Sequence, residues 1–237
     1  MKALVTGAGG VIGRAISIRL AEQSFEVVLS DRDAAKAEHV ATEIRSSGAR
    51  VEAFGADITS PSDVKALFAA AGEVHVLIHA AAAPINEKRV KNANWSDYEH
   101  HLNVAVKGAF LLASEWLRTK GERHSLIFVL SSVTVGAIAP GQSAYAAGKF
   151  GLLGFAKALS AELAAKQISV NCVSPGFVGE GLTGGVDDRV REVIIKATPM
   201  GRLAAPRDIA EVVSFLASRE ARYLTGLNIP IAGGLGS

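Results

Sequence analysis

Residues 6–13 read TGAGGVIG, between the apolar run Lys2-Ala-Leu-Val5 and the segment Arg14-Ala-Ile-Ser-Ile-Arg-Leu20. A strand that ends in glycines and reopens as a helix points several backbone N–H groups at one spot, which is what an anion cradle requires. Gly7 stands where the strand must turn sharply, and Gly13 where the helix packs on the sheet. Gly10, Val11 and Ile12 lie between them, so their backbone is the part that would face a pyrophosphate. By itself the pattern also occurs in tight strand-helix connections that bind nothing.

Outward from the turn, strand-like segments at 3–6, 26–30, 51–55, 75–79, 125–130, 169–173 and 227–231 are short and apolar on successive residues. That is expected of strands buried on both faces. Helical stretches at 12–23, 34–46, 61–71, 97–120, 144–166 and 206–218 lie between them. Ser60-Pro-Ser-Asp63 predicts a capped helix start with Pro at the first helical position, and Pro206 predicts another. The alternation implies an α/β fold, a doubly wound parallel sheet with helices on both faces. No linker or shift of composition divides residues 1–237, so a single domain is expected. A mobile substrate loop is expected near 176–200, whose first part carries glycines at 176, 179, 181, 184 and 185, with a short helix over 187–196.

Hydrophobic residues make up 49% of the chain, enough for a sizeable core. Lys plus Arg number 25 against 23 Asp plus Glu, with no basic stripe, which argues against a nucleic-acid partner. The single cysteine, Cys172, excludes an internal disulfide framework and fits a reducing, cytoplasmic setting. No apolar run is long enough for a membrane span, and with a strand read from residue 2 no signal peptide is expected.

Asp31 ends the second strand, eighteen residues after Gly13. A carboxylate there can accept both ribose hydroxyls of an adenosine and repels a 2′-phosphate. The alternative role for Asp31 is the cap of the next helix. Turn and acid together favour NAD. Arg32, beside it, can pair with a 2′-phosphate and keeps NADP as the lesser alternative.

Residues 141–153 read GQSAYAAGKFGLL, which puts Tyr145 and Lys149 on one helix face. A free phenol, with a pKa near ~10, is a poor acid–base group at neutral pH. An adjacent ammonium lowers that value, so Tyr145 is expected to be depressed and rate to rise with pH in alcohol oxidation. Ser132, thirteen residues earlier, follows the strand 125–130 at the end where α/β sheets bind ligands. Its hydroxyl can donate to a substrate carbonyl. A surface Tyr/Lys pair is the simpler alternative, but the rest of this helix is small and apolar all round.

TGAGGVIG, Asp31, Asp57-Ile-Thr59, Ser132, Tyr145-Ala-Ala-Gly-Lys149, Asn171-Cys-Val-Ser-Pro-Gly176 and the tail from Gly201-Arg-Leu203 to Tyr223-Leu-Thr-Gly226 together resemble the short-chain dehydrogenases/reductases, compact branch. The resemblance runs the whole chain. It implies a seven-stranded Rossmann-type sheet and a Ser–Tyr–Lys site working with a nicotinamide cofactor. By that likeness Ser132 orients the substrate oxygen, Tyr145 is the acid/base, and Lys149 holds the cofactor ribose and tunes the tyrosine. It also implies that Asp57 and Ile58 meet the adenine, and that Pro175, Gly176 and Val178 lie at the nicotinamide. His79, Ala80 and Ala81 fall on the cofactor side. A homotetramer or homodimer through the helices at 97–120 and 144–166 follows from the same likeness.

Four positions depart from the family pattern. Val11 replaces a glycine, and Gly7, Gly10 and Gly13 carry the spacing of the extended branch. His79-Ala-Ala-Ala82 replaces Asn-Asn-Ala-Gly. Ala105 occupies the place of the relay asparagine, and Asn103, two residues away, points elsewhere on an α-helix. Glu180 replaces a threonine, for which Thr183 is the nearby substitute.

The histidines do not form a metal set. His75 and His79 are about 13 Å apart along a strand, and His100 and His101 diverge on their helix. No catalytic metal is expected, and Cys172 is expected to be inert core. Thr134, Gln142 and Phe177, with Ser132, are the expected substrate contacts. The function implied is hydride transfer between NAD and a secondary alcohol or ketone. The alternatives are an NADP-dependent carbonyl or 3-oxoacyl reductase, and a cofactor-binding sensor or scaffold with little catalysis.

Overall fold

Seven parallel strands form one sheet in the order β3-β2-β1-β4-β5-β6-β7. They are β1 (Lys2–Thr6), β2 (Glu26–Asp31), β3 (Val51–Gly55), β4 (Val76–His79), β5 (Ser125–Val129), β6 (Ser169–Pro175) and β7 (Asn228–Ile231). The structure is a computed structural model, and it describes every residue except Gly184, Val186, Gly236 and Ser237, and all described side chains except that of Thr183. The expectation for Thr183 as a threonine substitute therefore lies outside the described residues.

The helices are α1 (Val11–Glu22), α2 (Ala34–Ser46), α3 (Pro61–Ala71), α4 (Trp95–Leu102), α5 (Gly108–Arg118), α6 (Ser143–Ala164), α7 (Asp188–Ala197) and α8 (Pro206–Ala217). Alternate residues of each strand feed two cores. Ala3, Val5, Val27 and Ile78 pack with Ile16, Leu20, Ile209 and Val213 on one face. Leu4, Val28, Leu77 and Phe128 pack with Phe68, Leu112, Trp116 and Leu152 on the other. Strands covered on both faces have no polar side to alternate with, hence their unbroken apolar runs. Among the described residues no helix is long and apolar enough to cross a membrane.

The chain leaves β1 for β2 and β3 on one side, then crosses to β4 on the other. At such a reversal the connections after two neighbouring strands diverge and open a crevice at their carboxyl ends. Here those ends are Thr6 and His79, paired in register and joined by a hydrogen bond between Thr6 Oγ1 and His79 Nδ1 of 3.0 Å.

One predicted element is corrected. The stretch 97–120 is not a single α-helix: α4 and α5 are separated by a π-helical turn, Asn103–Lys107, in which Gly108 N–H donates to the Asn103 carbonyl. A side chain at Gly108 would press on Ile58 Cδ1, at 2.8 Å, so the glycine lets the helix lie against the 57–59 turn without moving Ile58. Within this turn Asn103 is exposed and Ala105 buried, so the two face different ways as expected, although the winding is π-helical and not α-helical. The segment after β6 carries a bridge between Val178 and Ala204 and then α7.

Trp116 is fully buried, and its Nε1–H donates to the Val74 carbonyl at 2.7 Å. Trp116→Phe removes the donor and leaves a void, so urea unfolding should show a loss of about 2–4 kcal/mol.

Candidate active site

The glycine turn is closed by its own backbone. Gly7 has φ +69°, and a Cβ there would fall 2.6 Å from the Ala81 backbone, so the turns after β1 and β4 touch. Gly10 N–H donates back to the Gly7 carbonyl at 3.0 Å, and a Cβ on Gly13 would collide with that same oxygen. Side chains are excluded here because helix, turn and sheet meet backbone to backbone. That is a cradle in which α1 begins with no side-chain cap of its own, as an anion-binding helix start requires.

Asp31 closes this cradle from β2. Its Oδ2 accepts from Gly9 N–H and its Oδ1 from Asp33 N–H, both at 3.0 Å. The cap of α2 is Asp33, which accepts from Ala35 and Lys36 N–H. Asp31 is thereby left to face the turn, beside an exposed Arg32. Gly9, absent from the sequence-based set, is the residue that fixes it. Asp57 holds its own turn by accepting from Thr59 N–H and Oγ1 at 2.8 Å, and Ile58 is buried against Gly108. Val11 starts α1, with its side chain against Gly181 after β6, where an added Cβ would lie 3.1 Å from Val11 Cγ2.

On α6, Tyr145 and Lys149 are both buried. Lys149 Nζ donates to the Val129 carbonyl at 2.9 Å, at the end of β5, and sits 5.8 Å from the centre of the Tyr145 ring. Burial lowers the ammonium to about 8. Burial likewise raises the Tyr145 phenol, opposed in part by the Ser131 hydroxyl. The depression expected from the sequence is thus reversed, because removing the phenolate from water outweighs the neighbouring dipole.

Ser131 had no place in the sequence-based site, since the thirteen-residue spacing selects only the second of two adjacent serines. Ser131 Oγ also accepts from Val133 N–H, while Ser132 opens the 3₁₀ turn Ser132–Thr134 beside it.

Two of the expected substrate contacts carry hydrogen bonds within the protein. Thr134 Oγ1 donates to the Ser131 carbonyl and is bonded to Ser174 and Asn228, tying this turn to β6 and β7. The Gln142 amide donates to Glu87 at 2.9 Å. Phe177 is half-buried, with its carbonyl bound by Ala204 N–H. Pro175 ends β6, Val178 is buried, and Gly176 N–H donates to Ile231. Ala80 N–H donates to the Thr6 carbonyl.

His79 is wholly buried, and burial first and Lys149 second push it down to about 3. Its Nε2 faces the Val104 and Ala105 carbonyls without closing a hydrogen bond. A groove of about 620 Å³ lies elsewhere, lined by Val90, Ile138, Pro140, Ala147 and Phe150. None of the groups just described lines it, so the chemistry is assigned to the strand ends and not to this groove.

A family model described as Enoyl-(Acyl carrier protein) reductase matches residues 7–236. Nodulation protein G of Rhizobium sp. (strain N33) is 36% identical over 239 residues, spanning 99% of this chain and 96% of that protein. The 3-oxoacyl-[acyl-carrier-protein] reductase FabG of Staphylococcus aureus (strain N315) is 35% identical over 242 residues, spanning 98% and 97%. Among solved structures, a 3-ketoacyl-(acyl-carrier-protein) reductase from Brucella melitensis complexed with NADH superposes with TM-score 0.89 at 30% identity, covering 100% of this chain and 98% of that one. An enzyme from Serratia marcescens BCRC 10948 gives TM-score 0.91 at 26% identity, with the same coverage.

The Lys149 shift predicts a stability effect. Between pH 8 and 10.5 the unfolded lysine holds its proton and the folded one has lost it, so the wild type gains about 3 kcal/mol as pH rises through that window. Lys149→Met lacks this gain. The difference between the two urea-unfolding free energies should therefore move by about that amount, in favour of the wild type, between pH 8 and 10.5.

Proposed function

This chain belongs to the short-chain dehydrogenase/reductase family, and from that we propose that it interconverts a ketone and a secondary alcohol, with NAD as the cofactor. The observation that carries the reading is the buried Tyr145–Lys149 pair at the end of β5, beside two serine hydroxyls. A nicotinamide cofactor supplies or accepts the hydride. The glycine cradle fits its pyrophosphate, since Gly7, Gly10 and Gly13 meet backbone there. Asp31, pinned by Gly9, offers a carboxylate to ribose hydroxyls and repels a 2′-phosphate.

The protein's own part is proton transfer. With its phenol raised, Tyr145 is protonated at neutral pH, the form that donates to a carbonyl oxygen during reduction. Ser132 is proposed to orient that oxygen, with Ser131 holding the phenol. Lys149, charged below about 8, stabilises the phenolate left behind.

The second reading is an NADP-linked 3-oxoacyl reductase. It is favoured by the relatives that bear that name and by the exposed Arg32. We further propose self-association through α5 and α6, where Phe110 and Phe150 stand 53% and 46% exposed. Velocity sedimentation should give a dimer or tetramer.

Ketone reduction should proceed from pH 6 to about 8 and fall above it, as Lys149 loses its charge. Tyr145→Phe should lower kcat by at least about 10²-fold and leave NADH binding by calorimetry unchanged. Turnover near the wild-type rate in that variant would rule out the assignment. Asp31→Ala should shift the ratio of kcat/KM toward NADPH by roughly tenfold. A wild type that already prefers NADPH would favour the second reading.

A further inference from the structure

We propose that Thr134, Ser174 and Asn228 are positioning residues for the reaction. Together they hold the serine turn against β6 and β7, so that Ser131 stands at the Tyr145 phenol and Ser132 is left for the substrate oxygen. The proposal rests on Tyr145 as the acid/base.

The three side chains close a ring. Ser174 Oγ donates to Asn228 Oδ1 at 2.7 Å, and Asn228 Nδ2 donates to Thr134 Oγ1 at 3.2 Å. The Thr134 and Ser174 hydroxyl oxygens lie 2.8 Å apart. Strand register explains why they meet. Asn228 on β7 pairs with Cys172, so its side chain leaves the sheet on the same face as Ser174, two residues further along β6. That face otherwise carries Leu126, Phe128, Val170 and Cys172 in an apolar core. Ser174 is fully buried there, where a hydroxyl without a partner is costly. The last strand of the sheet is thereby bound to its neighbour through side chains as well as backbone.

Thr134 carries this ring to the site. Ser174 gives its proton to Asn228, so the Thr134 proton has two acceptors, Ser174 Oγ and the Ser131 carbonyl at 2.8 Å, and ties ring and turn together. The Thr134 N–H donates to that same carbonyl at 3.0 Å, and Val133 N–H donates to Ser131 Oγ at 3.4 Å. These last two bonds lie within the turn and say nothing of where the turn sits. Only the ring fixes it to the sheet.

The Ser131 hydroxyl accepts from Val133 and keeps its own proton for the phenol oxygen. A donor aimed there stabilises the phenolate left when Tyr145 gives its proton to a carbonyl, so the turn acts in the chemical step and not in substrate binding. Tyr145 is also faced by Lys149 on its own helix, 5.8 Å from the ring centre, and by the His101 ring of α4, with centroids 5.7 Å apart. Changes to the ring or to Ser131 leave both in place.

Thr134→Val keeps the shape and removes the hydroxyl. It should lower kcat for ketone reduction about tenfold with KM and NADH binding unchanged, whereas loss of a substrate contact would raise KM. Thr134→Ser, which keeps the hydroxyl, should retain the wild-type kcat. Asn228→Leu spares the turn's own residues and should lower kcat in the same way. Alcohol oxidation needs the phenolate, so the pH at which its rate rises should move up by about one pH unit in Thr134→Val and in Ser131→Ala. The double variant should move no further. A readout without turnover is amide hydrogen exchange. The Gly136 N–H, bonded to the Ser132 carbonyl at 2.8 Å, should exchange at least about tenfold faster in Thr134→Val and in Asn228→Leu. A raised KM with unchanged kcat, an unmoved pH profile in Thr134→Val, or shifts that add in the double variant overturn the proposal. If the wild type turns over neither ketone nor alcohol, the function reading falls, and Gly136 exchange alone decides whether the ring holds the serine turn.

Discussion

A lysine ammonium taken out of water, held by one backbone carbonyl, is the constraint around which the site is arranged. Lys149 reaches the Val129 carbonyl at the end of β5 and has no carboxylate bound to it among the described residues. A buried cation in that state is held at a cost that the surrounding packing must offset. The offset comes from α6, whose buried Ala144, Ala146, Gly148, Leu152 and Ala156 seat it against the sheet and the α4–α5 region. That seating determines where Tyr145, one turn earlier, puts its ring. The same burial acts on Cys172, whose thiol is pushed up to about 12 despite Lys157 and Lys149 nearby.

The neutral state of His79 belongs to the same balance. It ends β4 opposite Thr6, across the crevice where the sheet reverses direction. A charged imidazole there would put a second buried cation near Lys149, and burial instead holds the ring neutral by lowering its pKa to about 3. It therefore acts as a dipole, tied to Thr6 on one side and facing the π-helical turn on the other. The turns after β1 and β4, which meet at Gly7 and Ala81, are thus bound once by backbone contact and once by this side-chain bond.

Most of the scaffold was legible because it rests on local physics. Strands buried on both faces carry unbroken apolar runs, and Ser60 and Pro206 mark helix starts whose chemistry is contained within one turn. Asp31 was legible for a similar reason: the end of β2 is fixed by the sheet, and Asp33, two residues on, takes the capping role. What was not legible depends on contacts distant in sequence. The π-helical turn ends at Gly108, which lies against Ile58 on a different loop, and a period of 3.6 residues cannot reveal it. Thr134 and Gln142 bond to Ser174, Asn228 and Glu87, partners that a reading along the chain does not bring beside them. The direction of the Tyr145 shift required the degree of burial, which a helical spacing does not contain. Ser131 required knowing which of two adjacent hydroxyls an irregular turn presents.

Val11 combines the local and the distant. A β-branched residue in the middle of a glycine cradle reads, in sequence, as an obstruction. At the first position of α1, however, its side chain leans on Gly181, while Gly7, Gly9 and Gly10 line the turn with backbone. Gly181 has φ +67°, and a Cβ there would press on Val11 at 3.1 Å, so the segment after β6 comes this close only because it has none. The bulk lost from one loop is supplied by the other. A glycine at position 11 would leave the cradle as it is and take away the surface on which the 179–183 segment rests. The residue that looks least suited to a glycine turn is therefore the one that joins it to the segment after β6.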